Sequence, residues 1–197
     1  MKLSAGEQKR QQILDAVLQT IAKEGVDAVT HRRVGEEAGV SHGVVSYHFP
    51  TRDELVYKAF EHHLGTVEDY LEQVDWQPNQ TITKKQLVSI LTSGIEEELA
   101  GKTSTKVEQE LILYATRNPE LAKLYNAWEQ SVVDTLSTGL KQLHYRRPKE
   151  IARVLVSLAR GFLLESLTNP QLAAKDFKKR ANILLTSFPT QSVEKKS

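Results

Sequence analysis

Apolar residues recur at helical spacing through most of the chain, and no segment shows the two-residue alternation of a half-buried strand. The first stripe, Ile13, Val17 and Ile21, has a spacing of four residues, which places its members on one helical face. It follows a capping-box pattern, Ser4 with Glu7, of the kind that satisfies free N–H groups at a helix start. The pattern predicts an all-α fold of about nine helices.

A long helix is predicted over 51–74, leading from the N-terminal helices into the rest of the chain. Pro78 cannot continue a helix and lies among polar residues, so it marks a break. Asn118 and Asn169, each followed by proline, are expected to cap two further helices. The helices predicted after the break span 84–100, 106–117, 119–143, 148–168 and 170–188.

The stretch 29–55 predicts two short helices joined by a tight turn and followed by a third helix. Thr30 is suited to cap the first helix, and Gly39 lies where left-handed backbone is needed. Ser41 is suited to cap the second helix, which is predicted to end near Tyr47. A turn this short forces the helices to cross steeply, as in a helix-turn-helix, whose second helix enters the DNA major groove. An αα-corner in an ordinary helical protein is the alternative.

Outward-facing residues of the second short helix are the candidates for reading bases. Val45 is expected to face inward, which leaves the positions around it exposed. His42 and Ser46 can hydrogen-bond base edges, and Val44 can contact a thymine methyl group. The predicted contacts on this helix are Ser41, His42, Gly43, Val44, Ser46, Tyr47 and His48.

Phosphate contacts are predicted from the placement of charges, because the net charge of the chain is only +1. A basic residue at a helix start adds its positive side chain to free backbone N–H groups, and both favour phosphate. The predicted phosphate-holding residues near helix starts are Thr30, Arg32, Arg33 and Arg52.

The capping threonine, the Gly-Val-Ser turn and the Tyr-His-Phe run of the segment VTHRRVGEEAGVSHGVVSYHFPTRDEL resemble the DNA-binding domain of TetR-type transcriptional repressors. The resemblance extends from Glu7 to Phe60, and the remainder of the chain fits in length and all-helical character. Ser46 stands where most members carry an aromatic residue, and a minority similar to the choline-responsive BetI repressors carry serine there.

This resemblance implies a repressor that binds a palindromic operator in double-stranded DNA as a homodimer. It implies a DNA-binding domain over 1–50 and a ligand-binding and dimerisation domain over 51–197, with helix 51–74 bridging them. It also implies a small-molecule effector that binds between the helices of the second domain.

Aromatic residues in the second half of the chain are the candidates for lining an effector pocket. Tyr125 and Trp128 belong to an apolar stripe on a predicted helix, so they face inward whatever their role. Core packing alone is the alternative. The residues expected to line the implied pocket are Tyr114, Tyr125, Trp128, Phe162 and Glu165.

Two apolar stripes on the helix predicted over 148–168 indicate that it packs on two sides. The stripe predicted to close the body consists of Ile151, Val154, Leu155, Leu158 and Phe162. The stripe predicted to meet a second copy of the chain consists of Ala152, Val156, Ala159 and Leu163, joined by Leu184 of the last helix. The family resemblance implies a four-helix bundle between the two copies.

Several classes of site and protein are disfavoured by the sequence. The chain contains no cysteine, which excludes disulfides and thiolate metal sites and makes a reducing cytoplasm the expected location. Charged residues interrupt the first helix, so neither a signal peptide nor a membrane span is expected. His62 and His63 are adjacent, so they point in different directions on a helix and are not expected to share a metal.

The chain also lacks a Gly-rich phosphate loop and a nucleophile elbow, so no catalytic site, metal or cofactor is expected. Two alternatives to the ligand-responsive repressor remain. One is a helix-turn-helix regulator with a filled body and no small-molecule effector. The other is a helical-bundle enzyme or ligand carrier whose helix-turn-helix is incidental.

Overall fold

The computed structural model describes residues 4–72, 82–101 and 103–190, with side chains described over 4–65, 82–100 and 103–190. Nine α-helices and one short 3-10 turn account for most of these residues, and the described part contains no β-strand, only an isolated antiparallel bridge between Tyr145 and Thr190. The helices are α1 (Ala5–Glu24), α2 (His31–Ala38), α3 (His42–His48), α4 (Arg52–Glu72), α5 (Lys84–Gly101), α6 (Thr103–Ala115), α7 (Pro119–Gln142), α8 (Pro148–Thr168) and α9 (Ala174–Ser187), and the 3-10 turn is Val26–Ala28. The predicted all-α fold class is confirmed.

The helices divide between two compact units. The first unit contains α1, α2, α3 and α4 as far as Val67, together with α6 and the beginning of α7 as far as Asn126. The second unit contains the end of α4 from Glu68, α5, the remainder of α7, α8 and α9. This division differs from the predicted domains 1–50 and 51–197, because α6 packs against α1 and so joins the N-terminal unit.

The core of the first unit is built on the predicted face of α1. Ile13, Val17 and Ile21 are at most 1% exposed, as the spacing of four requires. They belong to a fully buried set that also includes Val29, Val34, Val45, Phe49, Leu55 and Phe60. One or more of these residues comes from each of the first four helices or the segment directly after it, so burial of apolar surface holds the helices together.

The core of the second unit is centred on two aromatic rings. Phe162 of α8 and Phe177 of α9 lie edge to face, with ring centroids 5.5 Å apart. Ile95 of α5 joins the same buried cluster, so three helices share it. Tyr145 precedes α8, and its buried hydroxyl donates a hydrogen bond to the Leu185 carbonyl at 2.9 Å. The loop between α7 and α8 is thereby tied to the end of α9.

Side-chain caps fix several helix starts as the sequence indicates. Ser4 Oγ accepts the Glu7 N–H at 3.3 Å while the Glu7 carboxylate accepts the Ser4 N–H at 2.8 Å. Asn118 Oδ1 accepts the Leu121 N–H at 3.2 Å at the start of α7. Pro148 occupies the first position of α8, where its missing N–H costs no hydrogen bond.

The predicted start of the last helix is wrong. Asn169 ends α8 instead of capping a new helix, and α9 begins at Ala174 rather than Pro170. The carboxylate of Asp176 accepts the Ala173 N–H at 3.1 Å, which supplies the helix start four residues later than predicted.

The two predicted stripes of α8 are also partly wrong. Ala152 and Leu163, expected to meet a second copy, are 0% and 8% exposed and are buried within this chain. Val154, expected to close the body, is 41% exposed. Because α8 contacts both α5 and α9, it buries a wider arc than one stripe and shifts the exposed face to another side. The exposed residues Val154, Ser157, Gly161 and Leu164 form that outer face, with spacings of three and four.

The other predicted dimer contacts, Val156, Ala159 and Leu184, are half-buried. Ala159 packs against the Phe162 and Phe177 cluster, so part of its surface is used within the chain. None of the described helices combines the length and the apolar character that a membrane span requires.

Candidate nucleic-acid interface

The helix-turn-helix is formed by α2, the turn 39–41 and α3, and its caps are the predicted ones. Thr30 Oγ1 accepts the Arg33 N–H at 3.1 Å at the start of α2. Gly39 has φ 65° and ψ 33°, the left-handed conformation that ends α2. Ser41 Oγ accepts the Val44 N–H at 3.4 Å at the start of α3. Local capping chemistry therefore sets both ends of the turn.

A close backbone approach at Gly35 completes the motif and was not identified from the sequence. The Val40 N–H donates to the Gly35 carbonyl at 2.9 Å, which folds the turn back against α2. A Cβ atom at residue 35 would lie 2.8 Å from the Val40 carbonyl oxygen and 3.3 Å from the His42 nitrogen. Glycine thus allows the start of α3 to pack directly on the backbone of α2.

The outer face of α3 is exposed while its inner face is fully packed. Val45 is 0% exposed, as predicted, whereas Tyr47 is 83% exposed. The ring of His48 stands edge-on to that of Tyr47, with centroids 5.2 Å apart. Of the predicted DNA contacts in this segment, Ser41, His42, Gly43 and Tyr47 are exposed, and Val44, Ser46 and His48 are half-buried. The accessible arc of α3 therefore includes His42, Gly43 and Tyr47, with the half-buried Ser46 among them, and it carries both hydrogen-bonding groups and an aromatic ring.

Two of the predicted phosphate-holding arginines differ sharply in their surroundings. The Arg32 side chain is 85% exposed and lies 3.4 Å from the Glu36 carboxylate. Arg33 instead donates to Glu24 at 2.6 Å and to Glu37 at 2.8 Å. These hydrogen bonds raise the pKa of Arg33 above its ordinary value. Arg32 is thus the more available of the two for a phosphate.

Arg52, the third predicted phosphate-holding arginine, is engaged inside the first unit. Its Nε donates to the Val29 carbonyl at 2.9 Å, and its Nη2 donates to the Val26 carbonyl at 2.8 Å. Its Nη1 donates to the Tyr114 hydroxyl at 3.3 Å. One guanidinium therefore ties the start of α4 to the 3-10 turn and to α6, and its predicted DNA contact stays a prediction.

Three side chains that the sequence pattern did not single out bind the carbonyl ends of the motif's helices. Gln12 of α1 donates to the Ala38 carbonyl of α2 at 2.7 Å. Arg10 of α1 donates to the His48 carbonyl of α3 at 3.4 Å. His31 Nε2 lies 2.7 Å from the Phe49 carbonyl oxygen, immediately after α3. No local sequence pattern identifies such contacts, because in each one the side chain and the carbonyl belong to residues at least 18 positions apart in the sequence.

Two of the predicted effector-pocket residues, Tyr114 and Tyr125, lie in the first unit. The Tyr125 side chain is buried and its hydroxyl donates to the Glu108 carboxylate at 2.9 Å. Tyr114 accepts the hydrogen bond from Arg52. Within this unit, α6 therefore contributes the Glu108 carboxylate, which binds Tyr125 of α7, and the Tyr114 phenol, which binds Arg52 of α4.

The other three, Trp128, Phe162 and Glu165, lie in the second unit. Trp128 is 9% exposed and Phe162 is 1% exposed, so both are core residues of their unit. Glu165 pairs with Arg180 at 2.6 Å, and this hydrogen bond lowers the pKa of the carboxyl group. The guanidinium of Arg180 also lies 5.1 Å from the centre of the Phe162 ring.

Metal chemistry has no candidate site in the part of the chain that the structure describes, where no group of three or more His, Asp or Glu side chains converges. His63 is buried on α4, and burial lowers its pKa to about 4, with a further contribution from the charge of the neighbouring His62. His62 contacts Asp15 of α1 at 3.0 Å. The two histidines therefore have separate environments, as their adjacent positions predicted.

Family models match both parts of the chain. The model described as bacterial regulatory proteins, tetR family, matches residues 13–59, which contain the helix-turn-helix. The model described as tetracyclin repressor-like, C-terminal domain, matches residues 83–186, more than half of the chain.

The chain belongs to the TetR family of transcriptional regulators. This confirms the predicted family, and it identifies the chain as a DNA-binding regulator rather than an enzyme.

Individual relatives agree with this assignment. The transcriptional regulator BetI of Cronobacter sakazakii is 23% identical over 83% of this chain and 81% of its own length. A nicotine-responsive transcriptional repressor of Paenarthrobacter nicotinovorans is 23% identical over 82% of this chain and 85% of its own length. A transcriptional regulator from Saccharomonospora viridis, solved in complex with choline, has a TM-score of 0.73 and 22% identity over 94% of this chain and 100% of its own. The last comparison shows a shared fold.

Proposed function

We propose that this TetR-family chain is a ligand-responsive repressor that binds a palindromic operator as a homodimer. The observation that carries the proposal is the exposed face of α3, on which Tyr47 is 83% accessible beside a packed Val45. An aromatic ring this exposed on a short, well-capped helix is suited to contact a partner. In a helix-turn-helix that partner is the edge of a base pair or a phosphate.

A homodimer is proposed because one α3 helix covers only part of an operator. Two recognition helices must be held about one DNA turn apart, 34–36 Å, to read two half-sites of a palindrome. The outer face of α8, with Val154 at 41% and Leu164 at 48% exposure, offers apolar surface to a second copy. Gly161 lies between them, and a Cβ atom at this residue would have no described neighbour within 4 Å, so backbones can approach closely there.

An organic cation is the proposed effector class. Glu108, held by the Tyr125 hydroxyl, supplies a negative charge next to an aromatic ring. Cations with an organic surface are recognised by such a pair of carboxylate and ring. The relatives support the same chemistry, because one is described as responsive to nicotine, an amine, and another was solved with choline, a quaternary ammonium compound.

Helix α6 provides the proposed route from effector to DNA. Besides Glu108, it carries Glu110, which accepts the Val26 N–H at 3.2 Å, and Tyr114, which accepts a hydrogen bond from Arg52. A displacement of α6 would therefore move the 3-10 turn and the start of α4, between which the helix-turn-helix lies. An effector that weakens DNA binding 100-fold needs a coupling free energy of about 2.7 kcal/mol, which a few such contacts can supply.

The experiment is a duplex-release assay with a fluorescent duplex that the protein has itself selected from a randomised pool. We expect choline or nicotine, added at millimolar concentration, to release the duplex, and Glu108→Gln to raise the concentration needed by about 10-fold. Affinity without added cation should be unchanged. Glu120→Gln is the matched control, because Glu120 is an exposed carboxylate that pairs with Lys123.

Failure of organic cations to release the duplex, or equal release of both variants and wild type, would reject the cationic effector. The second candidate, a DNA-binding regulator without a small-molecule effector, would then replace the ligand-responsive repressor. One observation in the second unit favours that second candidate: Phe162, which was expected to line a pocket, is 1% exposed and packs against Phe177, so its ring offers little surface to a ligand.

A further inference from the structure

The carbonyl end of the recognition helix α3 is held by side chains from two other helices. A helix leaves its last carbonyl groups without partners inside the helix, and α3 has only seven residues over which to satisfy them. The Phe49 N–H closes one bond, to the Val45 carbonyl at 2.9 Å. The carbonyls of His48 and Phe49 themselves accept from Arg10 and His31.

The Arg10 contact combines a hydrogen bond with stacking. Its Nη1 lies 3.4 Å from the His48 carbonyl oxygen, which is a long hydrogen bond. The centre of its guanidinium lies 4.4 Å from the centre of the Phe49 ring, within the range of a cation–π interaction. Since Phe49 is 0% exposed, the ring is a fixed platform for the guanidinium.

The His31 contact is shorter than the Arg10 contact and comes from α2, the first helix of the motif. His31 is the first residue of α2, and its Nε2 lies 2.7 Å from the Phe49 carbonyl oxygen. This distance requires a proton on Nε2, which is present both in one neutral tautomer and in the charged imidazole. The start of α2 is thereby tied to the residue directly after α3.

Both ends of α3 are therefore constrained, in different ways. At its start, the close approach to Gly35 fixes the position of the backbone. At its end, two side chains fix the direction in which the helix axis runs. Hydrogen bonds to base edges are sensitive to displacements well below 1 Å, so the orientation of a short helix decides which bases it can read.

We propose that Arg10 and His31 are positioning residues for DNA recognition, which set the orientation of α3 and so the discrimination between operator and other DNA. They act through the His48 and Phe49 carbonyls and not by contacting bases. The inference deepens the DNA-binding role on which it rests, by naming the residues that tune specificity from behind the recognition helix.

The test compares two duplexes of equal composition, one selected by the wild-type protein from a randomised pool and one with a scrambled sequence. We expect His31→Ala to lower affinity for the selected duplex by about 10- to 100-fold and for the scrambled duplex by less than about 3-fold. His31→Gln should restore most of the discrimination, because its amide nitrogen can donate to the same carbonyl.

Arg10→Lys separates positioning from direct phosphate binding. Lysine keeps the positive charge but loses the planar group that stacks on Phe49. We expect a loss of discrimination of about 10-fold with an unchanged dependence of affinity on salt concentration, since the charge is retained. A variant that keeps full discrimination would show that Arg10 acts by charge alone and would overturn its positioning role.

Gln12→Ala is the matched control, because Gln12 also binds a helix-end carbonyl of the motif, but on α2. It should change discrimination by less than about 3-fold. The proposal is overturned if Gln12→Ala and His31→Ala lose discrimination equally, or if His31→Ala weakens both duplexes alike, or if His31→Gln performs no better than His31→Ala. Failure of the wild-type protein to select any duplex would instead reject sequence-specific DNA binding itself.

Discussion

At the residue scale, arginines at neighbouring helix starts have different roles because their acceptors differ. Arg32 is 85% exposed with one carboxylate nearby, while Arg52 is 33% exposed and donates to two backbone carbonyls and a phenol. An exposed cation can leave a surface carboxylate for a phosphate at little cost. A cation that satisfies buried carbonyls cannot, because those groups would lose their partners.

Arg52→Ala should therefore lower the free energy of unfolding by about 2 kcal/mol, measured by urea denaturation. Arg32→Ala should change that free energy by less than about 0.5 kcal/mol. It should instead reduce the slope of log DNA affinity against log salt concentration by about one. The stabilising role of Arg52 would be contradicted if Arg52→Ala unfolds at the same urea concentration as the wild type while its DNA binding depends less on salt. Phosphate binding, as the sequence position of Arg52 suggested, would then be its principal role.

His63 makes the stability of the first unit depend on pH. Burial lowers its pKa to about 4 in the folded chain, against an ordinary value of 6.5. Between these values the unfolded chain binds more protons, so stability is present above about pH 6.5 and is lost as pH falls towards 4. The loss should reach about 3 kcal/mol at most, because one pKa unit corresponds to about 1.36 kcal/mol.

Urea denaturation at a series of pH values, with His63→Gln as the comparison, measures this contribution. The variant should show a smaller decline between about pH 6.5 and 4.5, a range above the pH at which most carboxyl groups titrate. Parallel curves for the two proteins would mean that His63 has nearly the same pKa folded and unfolded.

At the element scale, local patterns were enough to predict the motif and most helices. The caps of Ser4, Thr30, Ser41 and Asn118 all make the expected hydrogen bonds. Capping depends on residues three positions apart, so it can be recognised in the sequence. The start of α9 was misplaced because the Asn-Pro pattern at Asn169 is also suited to ending a helix, and Asp176 supplies a competing start.

Contacts between distant elements could not be predicted in the same way. The pairing of Arg10 with Phe49, or of Glu110 with the 3-10 turn, requires knowledge of which helices are neighbours. The exposed face of α8 was misassigned for the same reason. Apolar periodicity shows that a helix packs on two sides, but it does not show which side packs against the helix's own chain and which remains exposed. Gly35 is required by a backbone approach that only the folded turn creates.

At the scale of the whole molecule, the proposed dimer depends on the outer face of α8. Leu164→Arg places a charge on this face, where a long cation in an apolar interface would lose its hydration without gaining a partner. Light scattering should give twice the chain mass of 22.2 kDa for the wild type and the single mass for the variant.

Leu113→Arg is the control for this variant, because Leu113 on α6 is 61% exposed and lies outside the proposed interface. It should remain dimeric. A Leu164→Arg protein that stays dimeric, with the same mass as Leu113→Arg, would place the interface on another surface of the chain.

Selection of duplex DNA by the 197-residue chain tests sequence-specific recognition by α3 most directly. A randomised pool should yield a palindromic sequence whose half-site centres lie about 34–36 Å apart, one helical turn. Tyr47→Ala should bind that sequence about 10- to 100-fold more weakly while its affinity for scrambled duplex changes little. A pool that stays random after selection, or an enriched sequence that Tyr47→Ala binds as tightly as the wild type, would contradict recognition through the exposed face of α3.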